Sequence, residues 1–130
     1  MPPKIKHIAI MSMDPQKLAD FYCDVFEMKV IGRTDKKDIY ITDGYVTLAL
    51  LMQKAVGKPP GLNHFGFHIE DQQALAERLK KWNVVGPEKR PADRAFAETR
   101  ATDPDGNNYD LAVAGFDRDT SKPKKEYEPA

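Results

Sequence analysis

The chain repeats itself once, and that repeat limits its fold more than any total. A shift of 57 positions brings His7 onto His64, Asp14 onto Asp71, Gln16 onto Gln73, Leu18 onto Leu75 and Ala19 onto Ala76. Asp20 falls on the similar Glu77. The matches lie in phase with two strand-to-helix junctions. Two unrelated strand–helix pairs could share apolar positions by chance, but that explains poorly why His and Asp recur together. Two copies make a duplicated module and not a solenoid, which needs at least three stacked units.

Each half reads as a strand, a helix and then further strands. KHIAIMS at 6–12 is short and apolar, as a buried strand is. Asp14 can then cap free helix N–H groups, and Pro15 suits the first helical position. Leu18, Phe21, Tyr22, Val25 and Phe26 follow at the spacing of one apolar helical stripe. Strands are expected over 28–32, 38–42 and 45–52, with Asp43-Gly44 as a tight hairpin signal. The Gly- and Pro-rich stretch 54–61 reads as a linker.

The pattern then restarts. A strand is expected over 63–69, a cap at Asp71, and a helical stripe of Leu75, Leu79 and Trp82. Strands should follow around 84–85 and 87–90, then over 96–102 and 108–113. Asp103-Pro104-Asp105-Gly106-Asn107 places Pro and Gly for a turn between the last two. Residues 117–130 are charged and without pattern, so a flexible tail is expected there. The expectation is one α+β domain over 1–116 made of two βαβββ modules, followed by that tail.

Composition excludes several functions. Lys+Arg and Asp+Glu balance at 20 each, so the chain lacks the basic surplus that nucleic-acid binding exploits. The densest basic run, Lys122, Lys124 and Lys125, is diluted by Asp117, Asp119, Glu126 and Glu128. No apolar run approaches the ~20 residues that span a bilayer. The opening residues contain no apolar stretch of the signal-peptide kind. Cys23 is the only cysteine and has no disulfide partner in the chain, so a reducing, cytoplasmic setting is expected. No nucleic-acid or membrane partner is expected.

A histidine in an apolar strand is more often structural than a ligand. The repeat raises the interest of this pair. Modules related by an approximate two-fold axis would put His7 and His64 at equivalent places on equivalent strands, where two imidazoles are natural metal ligands. A third ligand is found by aligning Leu111-Ala112-Val113 with Leu48-Ala49-Leu50, which sets Asp110 opposite Thr47. An acid followed directly by apolar strand residues is awkward unless a cation meets it. The plainer alternative is a solvent-facing strand residue.

Four segments, KHIAI, LADFYCDVF, LNHFGFHIED and above all DPDGNNYDLAV, make the sequence resemble the vicinal oxygen chelate superfamily. That superfamily includes glyoxalase I, type I extradiol dioxygenases, methylmalonyl-CoA epimerase and the bleomycin-resistance proteins. The resemblance implies paired βαβββ modules forming a curved mixed sheet around a metal and substrate cleft. It implies His7, His64 and Asp110 as metal ligands. Two departures matter: the family usually has Glu where Asp110 stands, and glyoxalases and epimerases commonly have Glu or Gln where Thr47 stands. Glu27 also replaces a Gly frequent after the first helix.

Two histidines and one carboxylate with open positions suit ferrous iron, with Mn, Ni or Zn as alternatives. The expected function is therefore a metal-dependent enzyme of dioxygenase type acting on a small oxygenated molecule. The alternatives are a glyoxalase-like lyase or isomerase, and a non-catalytic drug-sequestering protein. The family likeness also implies a homodimer. His68 lies four residues after His64 on the same strand face, as an acid/base candidate or a structural histidine. Thr47, Glu98, Arg100 and Tyr109 are candidates for substrate binding. Glu98 and Arg100 share a strand face, and a cross-strand surface ion pair is the commoner explanation for either. Tyr40 and Tyr109 could equally pack, and Cys23 reads as a packing residue.

Overall fold

The computed structural model describes residues 2–53, 59–84, 86–91 and 98–116. Most of the expected linker and the whole of the expected tail lie outside them. The described chain divides into two compact units, one formed by His7–Asn63 and the other by His64–Phe116 with residues 2–6.

In the first unit, β1 (Lys4–Ser12, entering at His7) leads into α1 (Pro15–Phe26), β2 (Lys29–Arg33), β3 (Ile39–Thr42) and β4 (Thr47–Met52). The strand order is β2-β3-β4-β1. Neighbours β2, β3 and β4 are antiparallel, whereas β1 runs parallel to β4, with His7 opposite Thr47 and Ala9 opposite Ala49. A parallel pair needs a long crossover, here α1 and the β2–β3 hairpin. Asp14 starts α1 by accepting from the Lys17 N–H at 3.1 Å, with Pro15 next in line. Ala19 packs with Ile39, Ile41 and Leu50, flanked by Ile10, Leu18, Tyr22, Cys23 and Leu48.

The second unit follows the same plan. β5 (Gly61–His68, entering at His64) is followed by α2 (Gln72–Leu79), a 3-10 turn at Lys80–Trp82, β6 (Glu88–Lys89), β7 (Thr99–Thr102) and β8 (Asn108–Ala112). The order is β5-β8-β7-β6, with β5 parallel to β8 and the others antiparallel. Asp71 caps α2 through the Ala74 N–H at 3.0 Å. Ile69, Ala101, Tyr109 and Leu111 form the core, with Phe65, Phe67 and Leu75 against it. The α+β class and both βαβββ modules are therefore present as expected.

Alternation along the strands gives each module two unlike faces. The face under the helix carries Ile10, Ile39, Ile41, Leu48 and Leu50 in one module, and Phe65, Phe67, Tyr109 and Leu111 in the other. The opposite face carries His7, Ala9, Thr47 and Ala49 in one, and His64, Gly66, Asp110 and Ala112 in the other.

Several local expectations need correction. Phe21, Val25 and Phe26 are each more than half exposed. The buried face of α1 centres on Ala19, which turns Phe21 and Val25 outward, and Phe26 lies in the last turn of the helix. Trp82 is likewise exposed, because α2 ends at Leu79 and the 3-10 turn breaks its stripe. Besides Leu75, a polar contact anchors α2: the buried Gln72 donates to Thr99 Oγ1 at 2.8 Å. Val84 is not in a strand, Val85 and the start of the expected 96–102 strand lie outside the described residues, and β6 is only two residues long.

Candidate metal centre

The centre is built on the helix-free face of the second module. His64, Gly66 and His68 alternate along β5 onto this face, and Asp110 does so on β8. The parallel register sets Gly66 opposite Asp110, which leaves His64 diagonal to the acid. β7 and β8 form a hairpin with Thr102 opposite Asn108 and Arg100 opposite Asp110. The turn between them is held by Asp103, whose carboxylate accepts from the N–H groups of Asp105 and Asn107 and from Asn107 Nδ2, each at 2.9 Å. These bonds, led by those from Asn107, outweigh desolvation and lower the Asp103 pKa from its usual value. Gly106 supplies the positive φ of 86° that the turn requires.

Three polar groups converge on this face. Arg100 Nε donates to Asp110 Oδ1 at 2.6 Å. Asp110 Oδ2 lies 3.0 Å from His64 Nε2, and Arg100 Nη2 lies 3.2 Å from the same nitrogen. The His64 and Asp110 side chains are only 6% and 2% exposed, against 22% for Arg100. Burial pushes the Asp110 carboxyl pKa up. Hydrogen bonding and positive charge from His64 and Arg100 outweigh it and hold the value at about 2.

Nε2 cannot play both roles that its neighbours ask of it. To donate to Asp110 it must carry a proton; to accept from Arg100 it must offer a lone pair. A guanidinium has only donors, so the Arg100 contact is favourable only with Nε2 unprotonated and the proton on Nδ1. In that tautomer Nε2 and Oδ2 are two electron-pair donors facing each other at 3.0 Å, an arrangement that a shared cation relieves; with the proton on Nε2 the same pair is a hydrogen bond that lowers the Asp110 pKa. Two atoms bound at about 2.1 Å to one ion lie about 3.0 Å apart at a right angle and about 3.4 Å apart at the tetrahedral angle. The separation observed suits neighbouring corners of a six-coordinate divalent ion, so these residues fit a metal.

In the first module, His7 occupies the equivalent place on β1. It is 4% exposed and directly opposite the buried Thr47 of β4. Tyr40, paired with Ala49, is buried on the same face.

The other candidates separate from this group. His68 Nε2 lies 3.1 Å from the Val113 carbonyl oxygen, to which it can donate, and this is the structural alternative foreseen for it. Glu98 forms neither a surface pair nor a bond to Arg100. It is buried, and its two oxygens accept from the N–H groups of Val113 and Ala114 at 2.8 and 3.0 Å, securing the end of β8. Tyr109 faces the helix side, in edge contact with Phe67, and burial followed by the charge of Asp103 raises its pKa. Cys23 packs against the first module's core, as expected. Sequence reasoning missed the pairing of Arg100 with Asp110. The turn at 103–107 held the signal, since a hairpin closed by Thr102 and Asn108 must set 100 against 110.

The model of the Glyoxalase/Bleomycin resistance protein/Dioxygenase superfamily matches residues 4–111, and the chain belongs to that family. Among solved structures it is similar to a hypothetical protein from Bacillus halodurans, with TM-score 0.69 and 17% identity over 99% of this chain and all of that one. It is similar to the 2,3-dioxygenase LapB of Pseudomonas sp. KL28, with TM-score 0.67 and 16% identity over 84% of this chain and 40% of that one. Methylmalonyl-CoA epimerase from Mycobacterium tuberculosis gives TM-score 0.66 and 16% identity, over 82% of this chain and 85% of that one. These likenesses establish the fold. No curated protein matches the sequence.

Proposed function

We propose that His7, His64 and Asp110 hold one divalent metal ion, and that the protein is an enzyme of dioxygenase type acting on a small molecule with two neighbouring oxygens. Each of the three offers one ligand atom. The observation that carries the reading is the buried Nε2–Oδ2 pair of His64 and Asp110, 3.0 Å apart, with Arg100 as the donor facing both residues. Two imidazoles and a single carboxylate leave positions open for a substrate, the pattern of non-haem Fe(II) sites, with Mn, Ni or Zn as other occupants. When bound, such an ion supplies Lewis acidity toward both substrate oxygens and, as Fe(II), redox chemistry with O2.

The chain's own residues favour this over a lyase or epimerase. Thr47, buried opposite His7, has a hydroxyl where those activities need a carboxylate to move a proton. In this reading His68 serves the backbone at Val113, and Thr47 and Arg100 are the polar groups left to orient a substrate. A homodimer belongs to the proposal on family likeness alone, and sedimentation at micromolar concentration checks it.

The deciding experiment is anaerobic loading with Fe(II), Mn(II), Ni(II) or Zn(II), followed by metal analysis. Wild type should hold about one ion per chain and His64→Ala far less, a loss of tenfold or more in affinity on the order seen for metal-site changes. Stoichiometric metal in His64→Ala would overturn the assignment. Oxygen uptake with catechols, set against isomerisation of a hemithioacetal, then separates dioxygenase from lyase.

One observation favours a second reading. Arg100 already satisfies Asp110 without an ion, as a metal-free binding and sequestering protein would require. In that case stripped and loaded protein should bind a ligand equally well.

A further inference from the structure

We infer that Arg100 is an internal cation that competes with the metal for His64 and Asp110, so that the centre fills only when its guanidinium releases the imidazole. This rests on the metal reading above and adds a cause for how tightly the ion is held. The two contacts of Arg100 are unequal. Its Nε meets Asp110 Oδ1 at 2.6 Å, whereas the oxygen 3.0 Å from His64 is Oδ2. Its Nη2 meets His64 Nε2 at 3.2 Å, and Nε2 is the atom that faces the other carboxylate oxygen. A divalent ion placed between Nε2 and Oδ2 therefore leaves the first contact intact and removes the second.

A guanidinium carries donors and no acceptor, so it cannot relieve the conflict in place. It has to move. Arg100 has the means, since it is the most exposed of the three side chains. Its Nε can stay on Oδ1 while the Nη groups turn toward solvent. Arg100 thus changes role on loading, from plug to a group that steadies the ligand carboxylate, as outer partners of metal ligands do.

The test uses full-length protein stripped of metal, with Mn(II) alone as the probe and free ion counted by EPR. Arg100→Met keeps the length of the side chain and removes its charge. It should bind Mn(II) about tenfold more tightly than wild type, with Arg100→Lys in between, a difference worth about 1.4 kcal/mol. Equal or weaker binding by Arg100→Met would overturn the inference and leave the metal reading standing. If neither wild type nor variants bind Mn(II), Fe(II), Ni(II) or Zn(II), the metal reading fails and takes this one with it. A second measurement needs no variant. In stripped wild type, long-range 15N correlation should find His64 with a bare Nε2 and a protonated Nδ1. A proton on Nε2 would show that Arg100 does not occupy that lone pair, and the inference would fall.

Discussion

A carboxylate in mid-strand and 2% exposed needs cationic company, and Asp110 finds it in Arg100. In the metal-free chain its pKa is about 2, below the ordinary 3.8. The folded value is the depressed one, so this stabilisation is complete above the unfolded pKa and is lost as pH falls from about 4 to about 2. The shift corresponds to about 2 kcal/mol. Denaturant unfolding of stripped protein should find wild type and Asp110→Asn closer in stability by roughly that amount near pH 2 than near pH 6. A gap that ignores pH would contradict the carboxylate's assigned role. Much of this was legible beforehand: the repeat pointed to His64, and the apolar run after Asp110 pointed to the acid. Of the cross-strand surface ion pair expected for Glu98 or Arg100, the cross-strand part holds at Arg100, in a partly buried setting and not on the surface. The cross-strand register gives Arg100 to Asp110, and Glu98 reaches the strand end to bind the backbone beyond it.

At the scale of elements, capping and turn chemistry were read correctly, because Asp14, Asp71 and the 103–107 turn act through their own neighbours in sequence. The outward face of α1 was not, because five apolar residues cannot all fit one contact and only packing decides which are left out. Gly86 was also passed over, and its reason is tertiary. Its φ is 106°, and a Cβ there would come within 2.6 Å of Ala101 Cβ and 2.9 Å of the Arg100 carbonyl oxygen. Those atoms belong to β7 itself, which has no flexible end to give way. Gly86→Ala should therefore destabilise the protein by about 3 kcal/mol, combining the left-handed strain with the overpacking. Urea unfolding measures it. A loss under about 0.5 kcal/mol, the range of an ordinary surface change, would mean that the loop shifts freely. Because the same strand carries Arg100, metal affinity should change as well.

For the molecule as a whole, the duplicated plan was visible in the sequence, and so was the family. The shrinkage of β6 to two residues was not, since Pro87–Arg90 offers a strand pattern that only pairing with β7 could trim. The matching first and last strands of each module have a consequence in time. His64 and Asp110 become neighbours only when β5 and β8 align in parallel, across thirty-six residues to Arg100 and ten more to the acid. Separations of that kind are slow to close, so this pair is a late product of folding and cannot act as its seed. Saturating metal should leave the refolding rate of stripped protein unchanged and slow its unfolding, by about a hundredfold at a free ion concentration a hundred times Kd. Stopped-flow traces with and without chelator distinguish the limbs. A cell that runs short of the ion would on this view still make the complete fold, and would hold it in a form that falls apart sooner.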